Sequence, residues 1–257
     1  FALKMKAIAP LTHRISTEHF VIYSAWAKKD DSKLVQIYNR LYPMICKQYL
    51  MNEREHIWAG KLPIYAFWKK ENFQTFSKTV CGFDATNAGG FASVRGNFNY
   101  IVLGAVMNNG ASREHAKSWF AELLSHETSH AFLSRYQGRR HIPSWLNEGI
   151  AEIVAASLSP NGGTFRKLVI AHQAIKGGKR FQTSFFTDRV SVLDKGVSYG
   201  AAQSITRYLA KKDIKGFLQL VLEIKKGNDV EKSLKSIYKM DYKTLLANWQ
   251  KAVLKSR

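Results

Sequence analysis

The chain's 257 residues, 46% of them hydrophobic, are enough to bury a sizeable core in one large domain or two closely packed lobes. Its apolar runs all fall short of the roughly 18 residues that cross a bilayer, so no membrane-spanning helix is expected. The 39 basic against 19 acidic residues leave a formal charge of +20, spread over small clusters such as Lys28-Lys29, Arg139-Arg140, Lys211-Lys212 and Lys225-Lys226. This pattern reads as a solvated cationic surface rather than a basic tail, with nucleic acid, an acidic cell envelope or an acidic protein left open as a polyanionic partner.

Cys46 and Cys81 stand far apart and outside any CxxC, which indicates neither a disulfide framework nor a cysteine zinc site. A single disulfide between them stays open, and with it the redox compartment. Phe1 to Pro10 lacks the long apolar segment of a secretory signal. If an export signal existed it has already been removed, which would favour a periplasmic or secreted setting; the compartment is otherwise undecided.

The first 16 residues have no strong period and read as an arm. "HFVIYSAW" from His19 is β-branched and aromatic enough for a strand. Asp30-Asp31-Ser32 offers N-caps for a helix through about Tyr49, with Leu34, Ile37, Leu41, Ile45 and Tyr49 at helical spacing and Pro43 set to kink or divide it. "KLPIYAFW" from Lys61 reads as a second strand. "GGFASVRGNFNYIVLG" from Gly89 reads as two short strands joined at Arg95-Gly96-Asn97. This half is α/β.

From Ser112, a plausible N-cap, the pattern turns helical as far as about Tyr136, ending before Gly138. "PSWLNEGIAEIVAASL" opens another helix, with Pro143 near its first position and Pro160 beyond its end. Further helical patterns cover Tyr199 to Lys211, Ile214 to Lys225, Val230 to Tyr238 and Tyr242 to Lys255. With no internal repeat or low-complexity linker, residues 17–257 read as one catalytic-sized unit of two lobes, about 17–137 and 138–257.

In the helix that ends near Tyr136, Trp119 and Leu123 begin a stripe whose next members are His126 and His130. The histidines are therefore expected on a buried face, where an imidazole needs hydrogen bonds, a metal or both. Two histidines four residues apart project from one side of a helix about a turn apart, which suits two nitrogens converging on one cation. Glu127 falls between them, giving H-E-x-x-H, and is placed to take a proton from water activated by that cation. Two core histidines bonded to backbone carbonyls are the plainer alternative.

A catalytic zinc wants three protein ligands and one open position. Seventeen residues separate His130 from Glu148 on the next helix, and Glu152 follows one turn further on the same face, with the small Ala151 and Ala155 beside it. Glu148 as third ligand, and Glu152 as partner of a histidine's far nitrogen, is the simplest assignment.

"HETSH" followed by "IPSWLNEGIAE" resembles the gluzincin zinc metallopeptidases, and particularly the peptidase MA-like families, in which an H-E-x-x-H helix is followed by a W-L-x-E-G-x-A-E helix. The resemblance covers about residues 60 to 255, strongly only 123 to 155. It implies a zincin-like α+β fold: an N-terminal mixed α/β lobe with a small sheet and the active-site helix, then a mostly helical C-terminal lobe. It also implies one Zn²⁺ held by His126, His130 and Glu148. "YGAAQSITRYL" is similar to the family helix whose tyrosine faces the zinc, which makes Tyr199 the candidate donor to a developing oxyanion, with His141 as the alternative. "GGFASVRGNFNYIVLG" is either the edge strand to which an extended substrate adds or an ordinary meander. The gap of seventeen residues is one shorter than is usual in the aminopeptidase branch, and no G-x-M-E-N segment is present to hold a free amine.

The expectation is a zinc-dependent metallopeptidase, endopeptidase-like, acting on peptide or protein substrates. Two alternatives stay open: a zinc-stabilised scaffold whose cationic surface engages nucleic acid or envelope polymer, and a protease tethered to nucleic acid. The other histidines, His13, His19, His56, His115 and His172, show no ligand spacing with one another and read as surface or core residues.

Overall fold

The computed structural model describes residues 2–94, 99–104, 113–159, 162–187, 189–190 and 194–256. The expected turn at Arg95-Gly96-Asn97, the N-cap Ser112 and the stop at Pro160 lie outside these residues. The fold is α+β and falls into two compact units, Phe1–Phe132 and Leu133–Arg257.

The first unit is built on a five-stranded mixed sheet: β1 (His13–Ser16), β2 (Phe20–Ser24), β3 (Leu62–Phe67), β4 (Gly90–Ser93) and β5 (Tyr100–Gly104). Their spatial order is β1-β2-β3-β5-β4. β2, β3 and β5 run parallel in the middle, and β1 and β4 are antiparallel at the two edges. Phe20, Ile22, Leu62, Ile64 and Ala66 alternate with more exposed neighbours, so a period of two puts one face of the sheet into the core.

The stretch expected to be an arm is ordered into α1 (Ala2–Ile8) and the edge strand β1. Only Ala7 of α1 is buried, and β1 is half in and half out, which leaves almost no hydrophobic period in the residues themselves. Pairing with β2 supplies what β1 lacks alone. The helix α2 (Asp31–Gln48) continues through Pro43 instead of dividing there. Asp30, which stands at its N-cap, spends its carboxylate on a buried ion pair with Lys117, 3.1 Å away. α3 (Lys70–Thr79) buries only Phe73, Phe76 and Ser77, and was not legible as a helix.

α4 (Arg113–Leu133) carries the histidine pair and is anchored at several points within this unit. Phe120 meets Trp26 edge-on with ring centroids 4.8 Å apart, and Phe132 stacks on Tyr49 at 5.1 Å. The amide of Asn99, just before β5, donates to the Ala131 carbonyl at 3.1 Å. Cys46 is buried and Cys81 half-buried, both as free thiols, so the disulfide left open between them does not form.

The second unit is helical: α5 (Ser144–Leu158), α6 (Gly163–Lys176), α7 (Lys195–Lys212), α8 (Ile214–Lys226), α9 (Val230–Tyr238) and α10 (Tyr242–Lys255). The starts of α9 and α10 follow from local chemistry, because Asp229 and Asp241 accept from the backbone N–H of Lys232 and Thr244, each at 2.8 Å. α6 was not anticipated, since its apolar Phe165, Val169 and Ile170 face outward and blur the amphipathic period. His172 of α6 is half-buried: Ser204 accepts from Trp249 Nε1 at 3.0 Å and lies 2.7 Å from the imidazole, whose pKa burial lowers.

Lys225 in α8 is buried and donates to the carbonyls of Leu133 and Arg140, both at 2.7 Å. It thereby ties down the segment that leads into α5, at a place where backbone acceptors would otherwise go unpaired. Burial pushes its ammonium down to about 8, against about 10.4 in an unfolded chain. Between those values the unfolded state holds the extra proton, so this group's contribution to stability rises with pH, and below about 8 its desolvation cost stands in full. The melting temperature of the parent minus that of Lys225→Met should therefore grow from pH 8 to pH 10. A flat difference would contradict the buried ammonium.

Candidate metal centre

On α4, Trp119, Leu123, His126 and His130 form one strip, all four half-buried. The fully buried face lies beside it and consists of Ala116, Phe120, Leu124, Thr128 and Ala131. The histidines were expected on the deep face and lie instead on its flank. The reason is packing: the deep face is filled by contacts such as Phe120 on Trp26, and the flank keeps the imidazoles reachable. The strand edge approaches the same strip. A Cβ at Gly89 would come within 2.6 Å of Trp119 Cη2, and one at Gly90 within 3.1 Å of Leu123 Cδ2, so glycine is what lets this backbone lie against the helix.

The two Nε2 atoms are 3.1 Å apart, and the ring planes are nearly perpendicular at 86°. Ligand atoms about 2.0 to 2.1 Å from a tetrahedral zinc stand roughly 3.4 Å from one another. The pair therefore fits one cation with little adjustment, and imidazole is a suitable donor type for zinc. Glu127 is buried on the same helix.

In the second unit, Glu148 is half-buried on α5 and Glu152 is fully buried. Gly149, beside Glu148, lies against α7, where a Cβ would collide with the Ala202 carbonyl and Thr206 Oγ1. Gly200, beside Tyr199, is equally close to α6, where a Cβ would meet the Lys167 carbonyl. These two glycines set how near α5, α6 and α7 can come, which places Glu152 and Tyr199 around a residue the sequence did not single out. Lys167 of α6 donates to Glu152 Oε1 at 2.6 Å, and its ammonium lies 5.2 Å from the centroid of the Tyr199 ring. Tyr199 is half-buried and His141 is exposed. Lys167 gave no sequence signal because it belongs to the helix whose pattern was blurred.

Of the remaining histidines, His13 pairs with Asp31 at 3.0 Å. The side chain of His115 lies outside the described residues. His19 and His56, read from the sequence as unrelated, come together with Glu18, all three offering ligand atoms within 4.8 Å of one another. Thirty-six residues separate the two histidines, so only tertiary structure joins them.

Removing one partner of a buried ion pair strands the other charge. Lys167→Met should lower stability by about 3 kcal/mol, discounted to the low end because the lysine is partly exposed. Adding Glu152→Gln should recover much of that loss in urea unfolding. A single variant as stable as the parent would contradict the pairing.

In a comparison with protein families, residues 60–255 match the Peptidase MA superfamily, a stretch that contains α4 to α10 and the strands β3 to β5. No curated protein matches the chain. The family match suggests a metallopeptidase-like function, and the imidazole pair and carboxylates are donors of the type such a function uses. With well over half of its length inside the match, the chain belongs to the peptidase MA superfamily.

Proposed function

We propose that the chain is a zinc-dependent metallopeptidase of the gluzincin type, hydrolysing internal peptide bonds. The observation that carries this reading is the 3.1 Å approach of the His126 and His130 Nε2 atoms on a helix inside the family match. In this reading His126, His130 and Glu148 hold one Zn²⁺, and Glu152, with one oxygen on Lys167, offers its other oxygen to the far nitrogen of an imidazole.

A bound zinc ion would polarise the substrate carbonyl and make a water acidic enough to react near neutral pH. Glu127 takes a proton from the attacking water and returns it to the leaving amine nitrogen. The Tyr199 phenol donates a hydrogen bond to the carbonyl oxygen as negative charge develops there, a role for which His141 is the alternative. β4, an edge strand whose start lies against the histidine strip, offers backbone groups to which an extended peptide adds. The +20 charge supports a further contact with a polyanion, either at the surface of an active enzyme or in a scaffold that binds zinc without turnover.

Hydrolysis of casein measured with and without chelator, beside salt-dependent polyanion binding, separates these. Glu127→Gln should keep its zinc and lose about 10²-fold or more in kcat, the usual weight of a positioned base. Full activity in that variant would remove Glu127 from the mechanism. Glu148→Ala should retain markedly less zinc after dialysis, and parental zinc content would exclude Glu148 as a ligand. Polyanion binding with no chelator-sensitive proteolysis would favour the scaffold.

A further inference from the structure

We infer that Glu18, His19 and His56 form a second metal site, in the N-terminal unit, that takes a borderline transition-metal dication such as Zn²⁺. All three residues precede residue 60, where the family match begins, so the site does not come with the superfamily.

The case rests on how these side chains are held. His19 is 8% exposed, and its Nδ1 is buried with no hydrogen-bond partner. Burial holds the ring in place, and Nε2, the nitrogen that comes near Glu18, is the one positioned to coordinate. The imidazole lies flat on the Tyr42 ring, with centroids 3.7 Å apart and planes inclined by 18°. The Tyr42 hydroxyl in turn accepts from the Ile57 backbone N–H at 3.2 Å and donates to the Glu55 carbonyl. One tyrosine thus fixes the His19 ring and the segment that carries His56. The two imidazoles come within 4.9 Å, centroid to centroid, and His19 Nε2 lies 3.8 Å from Glu18 Oε1.

Glu18 and His19 sit in the turn between β1 and β2, closed by the Thr17 N–H on the Phe20 carbonyl at 3.0 Å and by the Phe20 N–H on Thr17 Oγ1 at 3.2 Å. The His19 carbonyl accepts from the Leu62 N–H at 2.8 Å, which ties the turn to β3. A tetrahedral zinc asks its ligand atoms to stand roughly 3.4 Å apart. Drawing in from 4.8 Å falls to Glu18 and His56, whose side chains are exposed and free to rotate, around a His19 that need not move. Lys61 is the nearby opposing charge, and its ammonium is already engaged by Ser16 Oγ at 2.9 Å and the Thr17 carbonyl.

Two imidazoles and one carboxylate select zinc, cobalt, nickel or copper over calcium or magnesium. Glu18 and His19 also line a cleft of about 470 Å³ with Thr17, Tyr38 and Asn39. Such an ion would clamp the β1–β2 turn to the segment after α2, closing a loop of almost forty residues.

The test is zinc stoichiometry by elemental analysis on the full chain, loaded with Zn²⁺ and dialysed, with folding checked by circular dichroism. His56→Ala and Glu18→Gln change exposed side chains and should each lower the zinc content by up to one ion per chain. In a His126→Ala/His130→Ala background, one zinc should remain and should vanish when His56→Ala is added. Zinc content unchanged by His56→Ala and Glu18→Gln overturns the inference, as does a double-histidine background that holds no zinc or holds one insensitive to His56. Because that background removes the α4 pair, the result is independent of whether that pair binds zinc.

Discussion

Two imidazole nitrogens stand 3.1 Å apart on one helix, and the packing that sets the rotation of that helix is the constraint on which their position depends. Helix geometry alone puts His126 and His130 on one side of α4, but it does not say which way that side faces. The azimuth comes from packing. Phe120 against Trp26 and Phe132 against Tyr49 turn one face inward, and the neighbouring strip is left at the surface of the core. The Lys117–Asp30 ion pair and the Asn99 amide on Ala131 resist rotation of the helix at two further points along its length. A rotation of one residue position, about 100°, would bury the histidines or expose them fully.

The same logic of close approach recurs in the helical unit. Gly149 and Gly200 stand next to the two residues of most chemical interest on their helices, Glu148 and Tyr199, and each lies against a neighbouring backbone carbonyl. A methyl group at either would push the helices apart. Their closeness brings Glu152, Lys167 and Tyr199 into one ion-pair and cation–π arrangement. An ammonium at 2.6 Å offsets the cost of burying this carboxylate completely.

Legibility in the sequence followed locality. The starts of α9 and α10 have a local cause, because their N-caps, Asp229 and Asp241, act within three residues. β2 and β3 were readable because their runs of apolar, β-branched and aromatic residues, FVIYS and LPIYAF, favour a strand. α1, β1, α3 and α6 were not, because each buries few residues or turns apolar ones outward, so their order depends on neighbours from elsewhere in the chain. Pro43, expected to kink or divide α2, does not divide it.

Chemistry at short range was written in the residues: the H-E-x-x-H spacing, a carboxylate-bearing helix after it, the α+β character and the excess of basic side chains. Tertiary structure alone decided which side chains meet across distance. It set the histidine pair on the flank of α4, gave Glu152 a lysine from a helix without a clean period, and brought His19 to His56 through a shared tyrosine. The physical reason is that a repeat of 3.6 or 2 residues records only which face of an element is apolar, whereas a convergence of polar atoms depends on backbone approach, and that is set by packing.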